Sequence, residues 1–282
     1  MANNSGFMGL EAAFTDRKRS AIAVLPVPYD GTSTWIKGAD KGPSAIISAS
    51  SAVELYDIET GKEIYRKGIY TAAPVKTSKR PEKMVKEVYD SVSALMGDKK
   101  FVVMLGGEHS VTVGSVRAHA ERYKGLSVLQ LDAHSDLRRE YEGSPYNHAC
   151  VMSRVKEICP IAQVGIRSMC VEEKDEMTRD RVFFAADIAG KKDWYGRVSK
   201  KLTKDVYVTI DLDVFDPAIM PSTGTPEPGG MDWYSVTGLL RKISKEHRIR
   251  GFDIVELCPE EHNKAPDFMA AKLIYTFLSY IF

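Results

Sequence analysis

The chain has 282 residues, 44% of them hydrophobic, which is ample for a substantial core and predicts a single domain over residues 1–282. Its formal net charge is +1 with basic and acidic residues spread along the chain, which argues against nucleic acid or histone-like partners. The cysteines lack disulfide spacing, the N-terminus lacks a signal peptide and no apolar stretch is long enough for a bilayer, so we expect a cytoplasmic protein without membrane partners.

Strand-like runs alternate with helix-like stretches along the chain. The predicted strands are 21–26, 68–72, 101–105, 126–131, 161–166, 182–185, 206–210 and 250–255. The predicted helices are 81–95, 111–123, 148–158, 194–202, 232–247 and 267–280. Several strands are continuous apolar runs, so both of their faces should be buried, which favours a three-layer α/β/α sandwich around a parallel sheet. Ligands bind such sheets beyond the carboxyl ends of the strands.

Three polar motifs follow apolar runs in this pattern. They are Gly106-Gly107-Glu108-His109-Ser110, Asp132-Ala133-His134-Ser135-Asp136 and Asp211-Leu212-Asp213. The period of two along a strand points the acids and histidine of the second motif to one face, and pairs the two acids of the third. Four carboxylates and two imidazoles exceed a single tetrahedral zinc site, and without thiolates they suit two harder divalent ions, manganese above all. The predicted metal ligands are His109, Asp132, His134, Asp136, Asp211 and Asp213.

A structural interpretation competes at each motif. A lone histidine after two glycines, such as His109, is more often a hydrogen-bonded structural residue. The Asp-x-His-x-Asp set is different, because three ionisable groups at the end of a buried strand would repel or desolvate one another without a cation. Two divalent ions would balance four aspartates, and a hydroxide between the ions would leave the cluster slightly negative. Such a cluster favours a cationic substrate.

These motifs resemble the ureohydrolase family of arginases and agmatinases, as does the long run from Asp211 to Gly230, Asp-Leu-Asp-Val-Phe-Asp-Pro-Ala-Ile-Met-Pro-Ser-Thr-Gly-Thr-Pro-Glu-Pro-Gly-Gly. The resemblance covers essentially the whole chain. It implies an eight-stranded parallel sheet of the arginase/deacetylase-like type, two Mn²⁺ per chain and a homo-oligomer, either a trimer or a hexamer. It also implies that His109, Asp132, Asp136 and Asp211 hold one metal and Asp132, His134, Asp211 and Asp213 the other, so that Asp132 and Asp211 bridge.

The resemblance also implies three roles in catalysis. Asp136 would carry a proton from the attacking water to the leaving amine, and His148 would be a proton shuttle or a substrate contact. Glu256, at the end of an apolar strand, would hold a guanidinium group by paired hydrogen bonds. The simpler alternatives are a histidine at a helix start for His148 and a surface salt bridge for Glu256.

Three further histidines lie in segments without these motifs, and we expect them at the surface or at helix caps: His119, His247 and His262.

Two departures from the arginase pattern bear on the substrate. Arginases commonly follow Gly-x-Arg with Asp-x-Asp, but here Gly165-Ile166-Arg167 is followed by Ser168-Met169-Cys170, so the acid is missing. Arg138 stands where arginases place an asparagine that meets the α-carboxylate. The chain looks more like prokaryotic agmatinases, and we expect a small cationic guanidino substrate, agmatine, cleaved to putrescine and urea in polyamine biosynthesis. Candidate partners for the distal ammonium are Glu140, Glu142 and Glu173.

Other functions stay open at this point. Aminopropylagmatine, guanidinobutyrate and arginine are alternative substrates, and Arg138 keeps the carboxylated ones in play, although we expect it to point outward or to pair with a neighbouring acid. An alternative of another class is a catalytically silent, metal-binding assembly subunit. The complete ligand set argues against this alternative.

Overall fold

The computed structural model of the chain describes residues 6–191 and 193–282, so most of the N-terminal segment searched for a signal peptide lies outside it. The strands β1 to β8 are Ile22–Val27, Ile69–Thr71, Phe101–Gly106, Ser127–Leu131, Ile161–Ile166, Val182–Phe184, Asp205–Asp211 and Arg248–Val255. The helices α1 to α9 are Ala12–Thr15, Gly42–Ser50, Pro81–Gly97, Thr112–Arg122, Val151–Lys156, Ala185–Ile188, Trp194–Ser199, Trp233–Glu246 and Ala265–Ile281.

The strands form one parallel sheet in the described part of the chain, in the order β2-β1-β3-β8-β7-β4-β5-β6. Alternate side chains of β1 lie in opposite apolar cores. Ile22 packs in the core that contains Leu240 of α8, whereas Ala23 packs in the core that contains Val88 of α3. Helices therefore cover both faces of the sheet, which confirms the expected α/β/α sandwich with eight parallel strands.

The helices differ from expectation mainly in length. The stretch predicted as helix 148–158 is a 3₁₀ turn, His148–Cys150, followed by the short α5. Helix α2 was not predicted, because seven of its nine residues are Gly, Pro, Ser or Ile, which are poor or moderate helix formers, and only two are alanines. Its first residue, Gly42, lies against Leu257, where a Cβ would come within 2.7 Å of the backbone oxygen. Tertiary packing therefore stabilises α2 where local propensity is weak.

The order of the central strands assembles the candidate site. Strands β3, β8, β7 and β4 are neighbours, and because they are parallel their carboxyl ends meet at one edge of the sheet. Four residues stand at or just after these ends, in the same order: His109, Glu256, Asp211 and Asp132. In the described ranges, no helix combines the length and apolar character needed to cross a bilayer.

Candidate metal centre and pocket

The imidazole of His109 faces three carboxylates. Its Nδ1 lies 3.1 Å from an oxygen of Asp132, 3.1 Å from one of Asp136 and 3.4 Å from one of Asp211. All four side chains are buried. Helix α5 holds the Asp136 backbone in place, because the N–H groups of Met152 and Ser153 both donate to its carbonyl oxygen. The structure thus gathers the four residues that the sequence analysis predicted for the first metal.

A second cluster shares Asp132 with the first. The Nδ1 atom of His134 lies 2.8 Å from Asp213 Oδ2 and 3.7 Å from Asp132 Oδ1. Backbone N–H groups fix these carboxylates: Ala133 donates to Asp213 Oδ1, and Asp213 donates to Asp211 Oδ1, each at 2.9 Å. The two oxygens of Asp132 point to different imidazoles, which is the arrangement that a bridging carboxylate needs.

The hydrogen bonds on the Nε2 side of His109 show whether its Nδ1 can bind a metal. Thr209 donates its hydroxyl hydrogen to Asp253 Oδ1 at 2.6 Å, so its oxygen accepts from His109 Nε2 at 2.8 Å. A neutral His109 then carries its hydrogen on Nε2, and its Nδ1 lone pair faces carboxylate oxygens. This buried Nδ1 has no hydrogen-bond partner among the residues that the structure describes. A nitrogen lone pair and carboxylate oxygens that face one another, with no hydrogen between them, fit a divalent cation. The hydrogen bond from His109 Nε2 to Thr209 is the kind that usually orients a metal-binding histidine.

Burial and mutual repulsion dominate the electrostatics of the cluster. Burial, and then the neighbouring charges of Asp213 and Asp132, raise the pKa of Asp211 well above its usual value. Burial lowers the pKa of His109, but the carboxylates around it outweigh burial and raise that pKa well above the usual value. Such a group of acids is stable only when protons or cations compensate its charge, so metal binding should displace protons.

Removing and restoring divalent metal should therefore change stability strongly. We expect Mn²⁺ added to chelator-treated protein to raise Tm by roughly 5 to 10 °C at a concentration 100 times Kd, since ligand binding there contributes about 2.7 kcal/mol per site. Scanning calorimetry measures the shift, and titration in buffers of different ionisation enthalpy measures the protons released. K⁺ at equal ionic strength is the control. An unchanged Tm with Mn²⁺ would show that the cluster is a metal-independent hydrogen-bonded core.

A cavity of about 250 Å³ opens above the cluster. Acids line its floor, including Asp136, Asp211 and Glu256, whereas Trp35 and Tyr141 contribute aromatic surface to its walls. Its volume suits a slender ligand rather than a bulky one. The cavity therefore combines acidic side chains with aromatic surface, which suits a ligand with a cationic end and an apolar stem.

His148 also lines this cavity, and burial lowers its pKa to about 4. Asn147 caps the turn on which it stands, accepting a hydrogen bond from the N–H of Ala149 at 3.0 Å. The ring of Tyr141 stands edge-on to the imidazole, with 6.4 Å between ring centres. His148 is therefore a neutral imidazole at neutral pH, so its ring carries one N–H and one nitrogen lone pair.

Two carboxylate residues of the site have unusual backbone conformations. Asp136 has φ of 51° and Glu256 has φ of 65°, in the left-handed region that costs a residue with a side chain about 1 to 3 kcal/mol. Glu256 Oε1 accepts from the N–H of His109 at 2.6 Å, and its Oε2 lies beside Gly224, which also lines the cavity. Burial raises the pKa of Glu256 well above its usual value, and the charge of Glu108 adds to the shift. Such strain and burial are typical of functional residues.

Of the three candidate partners for a distal ammonium, Glu173 lines the cavity and the other two do not. Glu173 is buried, and its oxygens already accept hydrogen bonds from the Ser135 hydroxyl and from the N–H groups of Leu137 and Cys170, at 2.6 to 2.7 Å. It holds the cavity wall in place. Glu140 and Glu142 are exposed and do not line the cavity. Local sequence could not show which of these acids lies at the cavity, because that depends on partners from other segments.

The expectation for Arg138 was wrong. Its side chain lines the cavity, and its guanidinium carbon lies 4.4 Å from the centre of the Tyr141 ring. In the described ranges it forms no salt bridge with an acid. Stacking on an aromatic face satisfies a guanidinium without an acid partner, and this contact depends on a loop conformation that the sequence does not reveal.

The expectation for His119 was also wrong, because this residue is fully buried rather than at the surface. Its ring packs 4.8 Å from that of Tyr207, and a Cβ on Gly251 would come within 2.4 Å of its Nε2. His247 does close helix α8, with Nδ1 against the carbonyl of Thr203, and His262 is exposed. A histidine in an amphipathic helix can thus be part of the core.

The sequence analysis missed residues that shape the site from distant loops. Arg167 contacts the carbonyl oxygens of Asp213 at 2.6 Å and of Glu227 at 2.7 Å, and so holds the loop after β7. Thr32, in the loop after β1, contacts both Glu108 and His148. The available signal for Arg167 was its position after the carboxyl end of β5. Thr32 stands in an aperiodic loop and gave no signal.

Comparisons with known proteins agree with this geometry. A sequence model described as the Arginase family matches residues 20–279. The N(1)-aminopropylagmatine ureohydrolase of Synechocystis sp. is 40% identical over 95% of this chain and 91% of its own. The agmatinase of Pyrococcus horikoshii is 32% identical over 94% of each chain. The crystal structure of the agmatine ureohydrolase of Thermoplasma volcanium superimposes with a TM-score of 0.87 at 34% identity, over 95% of this chain and 92% of that one.

Proposed function

This chain belongs to the arginase family, and we propose that it releases urea from a guanidine whose remote end carries amines and no carboxylate, either agmatine or N(1)-aminopropylagmatine. It is an enzyme, a ureohydrolase of that family. The observation that supports this substrate class is the cavity itself, with acids on its floor and aromatic surface on its walls. The charge of the floor attracts a guanidinium group, and the walls suit an alkyl stem.

The metal ligands proposed are the six residues that the two clusters bring together. Members of the family are binuclear and metal-dependent, and oxygen and imidazole ligands without thiolates favour manganese. Two bound ions would supply an activated water and stabilise the charge of the tetrahedral species. We also propose a cytoplasmic homo-oligomer of three or six chains.

The protein's own residues would divide the remaining work. Glu256 has one oxygen fixed by the His109 N–H, so its other oxygen is placed to accept a hydrogen bond from the guanidinium and orient it. Asp136 would take the proton from the attacking water and deliver it to the leaving amine. His148 would exchange protons with the cavity through its free ring nitrogen.

Substrate choice is the part of this proposal that an assay tests directly. With manganese-loaded protein we expect kcat/KM for agmatine or N(1)-aminopropylagmatine to exceed that for arginine by at least about tenfold, or roughly 1.4 kcal/mol. With its guanidinium on the acidic floor, arginine would place both an ammonium and a carboxylate at the far end of the cavity, and leaving either group desolvated without a partner costs on the order of 1 to 3 kcal/mol. Urea release over a panel of guanidines measures the ratios.

Arg138 favours a second candidate, a ureohydrolase for 4-guanidinobutyrate, because a guanidinium on the cavity wall can bind a carboxylate. The variant Arg138→Met separates the two. If Arg138 binds no substrate carboxylate, the variant keeps the preference for amines. Equal or better hydrolysis of guanidinobutyrate than of agmatine by the natural protein, lost in Arg138→Met, would reject the amine substrates.

A further inference from the structure

Glu108 is a fully buried carboxylate that the proposed chemistry does not use. Its Oε2 accepts from two backbone N–H groups, those of Thr32 at 2.5 Å and Ser33 at 3.2 Å. Its Oε1 accepts from two hydroxyl groups, those of Thr32 at 2.6 Å and Ser110 at 2.5 Å. Burial raises the pKa of Glu108 above its usual value, but four donors from two distant segments converge on its two oxygens and oppose that shift by stabilising the ionised carboxylate.

Close backbone contact brings these segments together. Gly107, beside Glu108, lies so near Tyr29 that a Cβ would come within 1.9 Å of the Tyr29 carbonyl oxygen. The Glu108 N–H donates to that oxygen at 2.8 Å. The loop after β1 is therefore fixed against the loop after β3, and Thr32 is held between Glu108 and the cavity.

Thr32 connects Glu108 to His148. Its hydroxyl oxygen accepts from the backbone N–H of His148 at 2.9 Å and lies 3.3 Å from His148 Nδ1. A threonine hydroxyl has one hydrogen, and here that hydrogen is donated to Glu108. Toward His148 the oxygen can only accept, so a hydrogen bond to Nδ1 requires the hydrogen to be on Nδ1.

We infer that Glu108 and Thr32 are positioning residues that hold neutral His148 as its Nδ1–H tautomer, leaving the lone pair on Nε2 to accept a proton. This inference rests on the role proposed for His148 above. The direction of the chain of hydrogen bonds decides the tautomer, because the carboxylate at its far end can only accept. The lowered pKa of His148 is consistent with a neutral ring, for which the choice of tautomer matters.

The substitution Glu108→Gln should reverse the direction of the hydrogen bonds that connect residue 108, Thr32 and His148. The two backbone N–H groups can only donate, so the amide oxygen must occupy the place of Oε2. The amide NH₂ then faces the two hydroxyl oxygens and donates to Thr32. The Thr32 hydrogen becomes free to donate to His148 Nδ1, and His148 is left with its hydrogen on Nε2.

Neutron crystallography of the metal-loaded protein locates these hydrogens directly as deuterons. Near neutral pD we expect a deuteron on Nδ1 of His148 in the natural protein and on Nε2 in Glu108→Gln. A deuteron on Nε2 in the natural protein, or an unchanged Nδ1 deuteron in the variant, would overturn the inference.

Kinetics of Thr32 variants provide a second readout, which does not depend on whether Glu108→Gln folds. Thr32→Val removes the hydroxyl and should lower kcat by roughly 10²-fold with a much smaller change in KM, and Thr32→Ser should rescue kcat. Thr60→Val is the matched control, because it removes another hydroxyl that donates to a buried carboxylate, that of Asp57 at 2.9 Å, outside the cavity.

A natural kcat in Thr32→Val, or no rescue in Thr32→Ser, would overturn the inference. The proposed function fails in a different way. If the natural protein releases urea from no guanidine, that function is wrong, whereas the deuteron positions still decide the tautomer.

Discussion

Asp132→Ala and Asp211→Ala should abolish urea release, with losses in kcat/KM of at least about 10³-fold, or roughly 4 kcal/mol. The expected reason is loss of metal. Asp132 presents one oxygen to His109 and the other to His134, so its removal takes a ligand from both proposed metals. Asp211 lies between the clusters, with one oxygen 3.4 Å from His109 Nδ1 and the other bound by the N–H of Asp213.

Metal analysis by mass spectrometry, together with the urea assay, measures both effects. Asp205→Ala is a matched control at the opposite end of β7, where the carboxylate pairs with Arg250 at 2.6 Å. It should lose some stability but retain both metals. Two metals per chain or full activity in Asp132→Ala would contradict the bridging role.

His148→Ala should separate proton transfer from metal binding. We expect kcat to fall by about 10²-fold to 10⁴-fold while metal content stays intact, which is the range for loss of a general acid or base. The side chain of His148 lies against the Thr32 hydroxyl and the ring of Tyr141, and neither of these residues is a proposed metal ligand. The loss should therefore appear in kcat rather than in metal stoichiometry.

Single-turnover kinetics and metal analysis on the same preparation test this separation. The exposed His262, changed to alanine, controls for the loss of an imidazole. A natural kcat in His148→Ala would remove this residue from the proton path. Loss of metal in the same variant would instead make it part of the metal centre.

The sheet and the two Asp/His clusters could be predicted because their signals are local. The central strands β4 and β7 are largely buried and mostly apolar, and the polar motif at the end of each follows directly in sequence. Parallel pairing then brings His109, Asp132 and Asp211 together, since the carboxyl ends of neighbouring strands meet. The period-two spacing of the polar residues indicated which side chains share a face, and the chemistry of their donor atoms indicated divalent metal ions.

The walls of the cavity could not be predicted in this way. Thr32 contacts Glu108 and His148 across 76 and 116 positions of the chain, and the loop that carries it has no periodicity. Arg138 and Glu173 are charged residues whose partners, an aromatic ring and a set of donors, come from the folded loops. Such contacts depend on tertiary packing, and composition or spacing does not indicate them.

Metal titration of the chelator-treated protein, followed by urea release from agmatine, tests the central claim most directly. The account predicts no urea from the metal-free protein and turnover that rises with added Mn²⁺ to a plateau at two ions per chain, because both clusters contribute to one reaction. Full turnover without metal would contradict the account, and so would two bound ions that produce no urea from any guanidine.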